Sequence, residues 1–180
     1  MKNLLFFLIM ASTLLGCKSP EARLPVIVNS GSFIKESVER NKALNKTERK
    51  KIQKLIASFS DKEFMTSENG FWYHYNTKVK NNTITPQSGD HITYTFDVSD
   101  LDGKEIYSKS DIGEQKYVMD KEELFSGLRE GLKLMKPSES VTFIFPSQKA
   151  YGYYGDENRI GTNVPLICNV NLKTITQNND

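Results

Sequence analysis

The sequence predicts an antiparallel α+β domain, a sheet wrapped around one short helix and preceded by a helical extension. Three observations carry this. Apolar residues recur with period two over most of the chain after Phe71. A single helical stretch interrupts the strands, between Asp120 and Met135. Strand–helix–strand alternation of the kind that builds parallel sheets is absent, and runs of strands beside few helices fit the α+β class. The 180 residues, 38% of them hydrophobic, suffice for one domain with appendages, which excludes disorder throughout.

The amino end differs from the rest. Lys2 precedes an almost unbroken apolar run from Leu4 to Leu15, which meets Gly16-Cys17. That run is too short to span a bilayer but has the length of a signal-peptide core. Its end, Leu14-Leu15-Gly16-Cys17, resembles the bacterial lipoprotein signal, in which the cysteine is acylated and becomes the first mature residue. The other reading is an ordinary signal peptide that contains a cysteine. On the lipoprotein reading, residues 1–16 are removed, Cys17 carries the lipid, and the protein is exported and anchored to the bacterial cell envelope, as a periplasmic or outer-membrane lipoprotein. More than one acyl chain makes such an anchor stable, at about 0.8 kcal/mol per buried CH₂.

Residues 17–31 hold Pro20 and Pro25 with little periodicity and read as a tether. A helical extension follows over 32–66, in two segments. Ile34 and Val38 lie four apart in the first. In the second, Ile52, Leu55, Ile56 and Phe59 form one stripe, and Asn45 with Glu48 three residues on looks like a capping box that opens it. Lys46, Arg49, Lys50, Lys51 and Lys54 occupy the other face. That basic run fits either a surface for anionic lipid or a solvated face opposite an apolar stripe, and the second reading is preferred. A homodimer through these helices is the partner arrangement they suggest.

The domain itself is expected over 70–176. Phe71, Tyr73 and Tyr75 alternate with Trp72, His74 and Asn76; Ile92, Tyr94, Phe96 and Val98 alternate with His91, Thr93, Thr95 and Asp97. Asp102-Gly103 marks a hairpin turn into residues 104–108. Leu124, Leu128, Leu132 and Met135 give the helix its apolar side, and Pro137 ends it. Strand character returns in Val141, Phe143 and Phe145 and stops at Pro146. The loop Ala150-Tyr151-Gly152-Tyr153-Tyr154-Gly155 follows, and then a last strand with Leu166, Cys168, Val170 and Leu172.

Composition excludes several functions. The chain has 24 Lys plus Arg against 22 Asp plus Glu, spread along its length, so it lacks the footprint that nucleic acid requires. Two cysteines and two histidines, Cys17, Cys168, His74 and His91, supply neither a disulfide framework nor a metal site of familiar spacing. Cys168 is expected to be a buried, inert thiol, with no histidine placed to activate it.

One ordered series is specific. Gly89, Phe96, Asp102-Gly103-Lys104, Gly127-Leu128, Gly131-Leu132, Met135-Lys136, Ala150-Tyr151-Gly152, Gly155 and Leu166 follow one another at spacing that resembles the FKBP-type peptidyl-prolyl cis-trans isomerases. The resemblance covers roughly residues 70 to 175. Phe71-Trp72-Tyr73 and the turn near Pro86 resemble the exported bacterial members, where a helical region precedes the isomerase. With the lipid signal added, the chain is also similar to the FKBP-like lipoproteins associated with gliding motility.

The resemblance implies a site, residue by residue. Phe96 stands where the family usually has a tyrosine, Ile106 at an aromatic wall, and Tyr107 where an aspartate is usual. Leu124 and Phe125 are the apolar pair before the helix, and the backbone N–H of Phe125 is an implied donor to the ligand carbonyl. Leu128 replaces a tryptophan at the pocket floor. Tyr151 keeps the loop tyrosine, whose hydroxyl is the other implied donor. Ile160 and Cys168 close the pocket, Cys168 in place of a phenylalanine. The placement also starts the helix near Ser126 rather than before Leu124. Tyr151, Phe96 and Tyr107 are thus the catalytic candidates, and Ile106, Leu124, Phe125, Leu128, Ile160 and Cys168 the substrate-binding ones.

The implied activity is rotation about X-Pro bonds in proline-containing clients, aiding the folding of exported proteins, with neither metal nor cofactor. The alternative is an FKBP-like binding or chaperone module in a membrane-anchored complex, whose activity the loss of an aspartate at Tyr107 has weakened or abolished.

Overall fold

A computed structural model describes residues 30–81 and 84–178, without the side chains of residues 30–32. The signal segment, Cys17 and most of the tether lie outside these residues. The chain divides between Glu36 and Ser37 into two units. Of the first, the described residues form the opening turns of α1 (Ser30–Ser58); the second holds the rest of that helix and all the strands.

α1 is one helix where two were expected. No proline or glycine occurs between Ser32 and Asn69, so nothing in that stretch breaks it. The expected capping box at Asn45 is absent for the same reason, and Glu48 points elsewhere. From Ser37 on, the stripe is as read: Ile52 is fully buried against Trp72 and Ile144, with half-buried Leu55 and Ile56 beside it. Lys46, Arg49, Lys50, Lys51 and Lys54 are exposed. No described helix is long and apolar enough to cross a membrane.

The strands are β1 (Met65–Thr66), β2 (Trp72–Thr77), β3 (His91–Ser99), β4 (Glu105–Tyr107), β5 (Gln115–Val118), β6 (Ser140–Phe145) and β7 (Leu166–Thr176). Their order in the sheet is β1-β2-β6-β7-β3-β4, with every pair antiparallel. The free edge of β3 is shared: His91 to Tyr94 pair with β5, and Val98 and Ser99 with β4. Between those two short strands sits α2 (Lys109–Ile112), where Ser108 and Asp111 form a reciprocal capping box. Neither β5, β1 nor α2 has a legible period, because each is only two to four residues long.

β3 shows the predicted alternation in full, with Ile92, Tyr94, Phe96 and Val98 buried and their neighbours at least partly exposed. Asp102-Gly103 makes the expected turn. Gly103 has φ +80°, and the Asp100 carboxylate accepts from the Asp102 and Lys104 amides.

The helix inside the sheet, α3 (Ser126–Leu132), is shorter than its periodic residues suggest. Asp120 has φ +61°, so the helix cannot extend back to it. Close packing dictates two glycines. A Cβ on Gly127 would lie 2.5 Å from the Phe145 ring and 2.6 Å from the Lys149 carbonyl, and one on Gly131 would lie 2.9 Å from the Phe143 ring. Phe143 and Phe145 stack 5.5 Å apart beneath them.

Candidate active site

β7 runs through the middle of the sheet and sets the floor. Its Cys168 stands opposite Phe143 of β6 on one side and Val98 of β3 on the other, so it is fully buried. Burial, and behind it the charge of Asp97, push the thiol well above its ordinary pKa, so no thiolate is available as a nucleophile. Leu128 of α3 is likewise fully buried, Ile160 is 3% exposed and Phe96 is 7% exposed. Ile106, Tyr107, Leu124, Phe125 and Tyr151 pack half-buried against the same cluster. All nine residues singled out from the sequence therefore meet in one apolar body.

They do not all face the same space. An open pocket of about 540 Å³ is lined by Glu122, Glu123, Leu124, Phe125, Arg129 and Tyr151. Phe96, Leu128, Ile160 and Cys168 lie beneath it as closely packed core. The Phe125 ring meets Phe145 edge-on at 5.5 Å and Tyr151 at 5.1 Å, which stands the tyrosine against the pocket wall. Its hydroxyl makes no hydrogen bond within the described residues, and no buried polar atom among them lacks a partner, so this hydroxyl reaches the solvent side. Burial of the ring, with the nearby charge of Asp156, pushes its pKa up to about 12. It is a neutral donor at every physiological pH.

A second group closes the side of the cluster, and the sequence reading missed it. The Tyr107 hydroxyl donates to Asp156 Oδ2 at 2.5 Å, and Asp156 Oδ1 accepts from the amides of Asn158 and Ile160 at 3.0 and 2.7 Å. Arg159 lies over the Tyr107 ring at 4.9 Å and donates to the Ile106 carbonyl and to Asp111 of α2. Burial opposes ionisation of Asp156, but these hydrogen bonds outweigh it and hold the carboxyl below its ordinary value. Burial, then the bond to Asp156, raises the Tyr107 phenol. A carboxylate thus does sit beside residue 107, supplied from 49 positions further along the chain. A local signal existed in Gly155-Asp156, a glycine at φ +72° followed by an Asx-turn residue, but nothing in it pointed to Tyr107.

A larger groove, about 610 Å³, lies between α1 and the β3–β4 turn, lined by Leu44, Lys51, Leu55, Leu101 and Pro165 among others. It shares no residue with the Tyr151 pocket. Among the described residues no three of the His, Cys, Asp and Glu side chains converge as a metal site would require.

The chain and its fold are similar to known proteins. A family model described as FKBP-type peptidyl-prolyl cis-trans isomerase matches residues 73–173. The chain is 25% identical over 141 residues to a probable FKBP-type peptidyl-prolyl cis-trans isomerase FkpA of Neisseria meningitidis, covering 78% of this chain and 51% of that protein. It therefore spans about half the length of that curated relative. Two solved structures share the fold. A peptidyl-prolyl cis-trans isomerase of Pseudomonas syringae superposes with a TM-score of 0.60 at 21% identity, over 76% of this chain and 96% of that one. FkpA of Escherichia coli superposes with a TM-score of 0.60 at 20% identity, over 98% of this chain and 82% of that one.

Proposed function

The chain belongs to the FKBP-type peptidyl-prolyl cis-trans isomerase family, and we propose that it catalyses X-Pro rotation in exported polypeptides. The observation that carries this reading is the Tyr151 hydroxyl, which has no hydrogen-bond partner among the described residues and sits on a ring packed against Phe125 at an open pocket.

The chemistry asks for little more. Resonance stiffens the C–N bond, and rotation meets a barrier of about 18–20 kcal/mol. The twisted imide needs no nucleophile. It needs an apolar, water-poor seat for the proline ring and a donor aimed at the twisted carbonyl rather than the planar one. Lowering the barrier by about 8 kcal/mol gives roughly a millionfold rate gain. Leu124, Phe125 and Tyr151 form the seat, and Tyr151 Oη with the Phe125 N–H are the donors. Ile106, Phe96, Leu128, Ile160 and Cys168 back it, and Tyr107 acts through Asp156 to hold the loop in place.

The remaining assignments rest on the sequence. Residues 1–16 act as the lipoprotein signal, and Cys17 anchors the protein to the cell envelope, where it meets clients that have crossed the membrane. Phe33 and Ile34, 62% and 64% exposed in the opening turns of α1, are what a second copy would cover in a homodimer. The likeness to gliding-motility lipoproteins supports clients belonging to that machinery.

A second reading, a binding or chaperone module without isomerase activity, draws on the closed floor under Phe96, Leu128 and Cys168. A proline-isomerisation assay on a short X-Pro peptide separates the two. Acceleration that falls in Tyr151→Phe and Phe96→Ala supports the enzyme; a folded chain that adds nothing to the uncatalysed rate leaves the binding module.

A further inference from the structure

Glu48 is a carboxylate only 4% exposed, on the sheet-facing side of α1. One residue satisfies both of its oxygens. The Ser147 amide donates to Oε2 at 2.9 Å and the Ser147 hydroxyl to Oε1 at 2.7 Å. An apolar side chain would hold the helix to the sheet at lower cost, as Ile52 does one turn on, because a buried carboxylate forfeits its hydration. Its two charge-assisted bonds give direction rather than adhesion.

That direction leads to the Tyr151 loop. Ser147 opens the 3₁₀ turn Ser147–Lys149 that joins β6 to the loop. Its carbonyl accepts from the amides of Ala150 and Gly152, the two neighbours of Tyr151, at 3.0 and 2.9 Å. The Gly152 carbonyl in turn accepts from the Asn163 amide at 2.8 Å. On the other side the Lys149 carbonyl rests on Gly127 of α3, where no Cβ would fit. The loop is therefore held between the helix under the sheet and the helix over it, with Ser147 as its fixed point.

We propose that Glu48 is a positioning residue for the isomerase site: by gripping Ser147 it sets where the Tyr151 hydroxyl stands over Phe125. This rests on the isomerase reading of that pocket. Its consequence is that a helix whose sequence looks like a detached extension controls geometry on the opposite face of the sheet.

The test compares variants of the full chain by X-Pro isomerisation kinetics, thermal unfolding and amide hydrogen exchange. Glu48→Ala is expected to lower kcat/KM about tenfold, mainly through kcat, since an ångström of misplacement costs up to roughly a hundredfold. It should also speed exchange at Ala150 and Gly152. Glu48→Gln recovers most of both, because its amide can accept from the Ser147 N–H and donate to the hydroxyl. Leu55→Ala weakens the same helix without touching Ser147; it should lower the unfolding temperature and leave kcat/KM and loop exchange unchanged. Ser147→Ala, which keeps the amide arm alone, is expected between Glu48→Ala and the parent chain, and it decides the matter if Glu48→Ala does not fold. Parent-like kcat/KM and exchange in folded Glu48→Ala or Ser147→Ala overturn the proposal, as does an equal loss of kcat/KM in Leu55→Ala. A parent chain without isomerase activity removes the catalytic half, while the exchange arm still tests whether Glu48 positions the loop.

Discussion

On the inner face of β6, Phe143 and Phe145 stack on each other, meet Phe71 edge-on, and lie directly under the two glycines of α3. On the outer face, Ile144 has, among the described residues, only Ile52 and Trp72 as fully or nearly buried apolar partners. Two sides of one six-residue strand thus do different work. The inner side is a wide cluster of interlocking rings with a helix backbone pressed onto it, and the outer side is a small patch supplemented by a buried carboxylate. An aromatic cluster of that width specifies shape by volume and leaves no freedom to adjust. The narrow outer patch cannot do so, and the Glu48–Ser147 hydrogen bonds supply the orientation it lacks.

Phe143→Ala tests the inner side and has the largest expected effect, a loss of about 3–5 kcal/mol in urea unfolding. Ile52→Ala tests the outer side; its smaller cluster should collapse more readily, for a loss nearer 2–3 kcal/mol. If Ile52→Ala costs as much as Phe143→Ala, the contrast between the faces is wrong. Gly127→Ala follows, at about 1–3 kcal/mol, because its methyl would press on both the Phe145 ring and the Lys149 carbonyl. Unlike the first two, it should slow X-Pro isomerisation in the fraction that remains folded, since Lys149 leads to Tyr151.

Tyr107→Phe removes one hydrogen bond and should cost about 1 kcal/mol near neutrality. Its pH dependence is more telling. The Asp156 carboxyl is depressed, so its contribution is present above the ordinary value of 3.8 and lost as pH falls through the folded value. The Tyr107 phenol is raised, so its contribution is present below 10.0 and lost as pH rises through the folded value. The stability gap between Tyr107→Phe and the parent should hold between these limits and close beyond both. A gap that ignores pH would show that the pair contributes packing alone. Ile34→Ser has the smallest expected effect, within about 0.5 kcal/mol, because the side chain is 64% exposed; sedimentation of that variant also checks the homodimer.

The contrast also governs how much could be read in advance. β3 and β7 were legible because long strands with one buried face repeat their alternation several times, and β6 by its run of β-branched and aromatic residues. The unbroken α1 reads as two helices in the sequence because Asn45 with Glu48 looks like a capping box, although such a pair does not end a helix as glycine or proline would. β1, α2 and β5 were too short to carry a period. At the site, the ordered glycines and Tyr151 carried the resemblance to the family, because close approach and a loop hydroxyl leave marks in one dimension. The marks left by Asp156 and Glu48 were local ones, and neither pointed to its distant partner. Glu48 looked like half of a local cap, and its true partner lies 99 residues away.

The position of β7 has a consequence for how the molecule comes into being. The last strand of the sheet in chain order lies between β6 and β3 and closes the floor with Cys168. Until it arrives, β3 lacks its longest partner and β6 lacks one of its two. The sheet therefore cannot close before its last strand in chain order has paired, and the slow, non-local part of folding is deferred to that strand. The topology makes β7 a keystone: β6 and β3, its neighbours on either side, are joined only once it is in place.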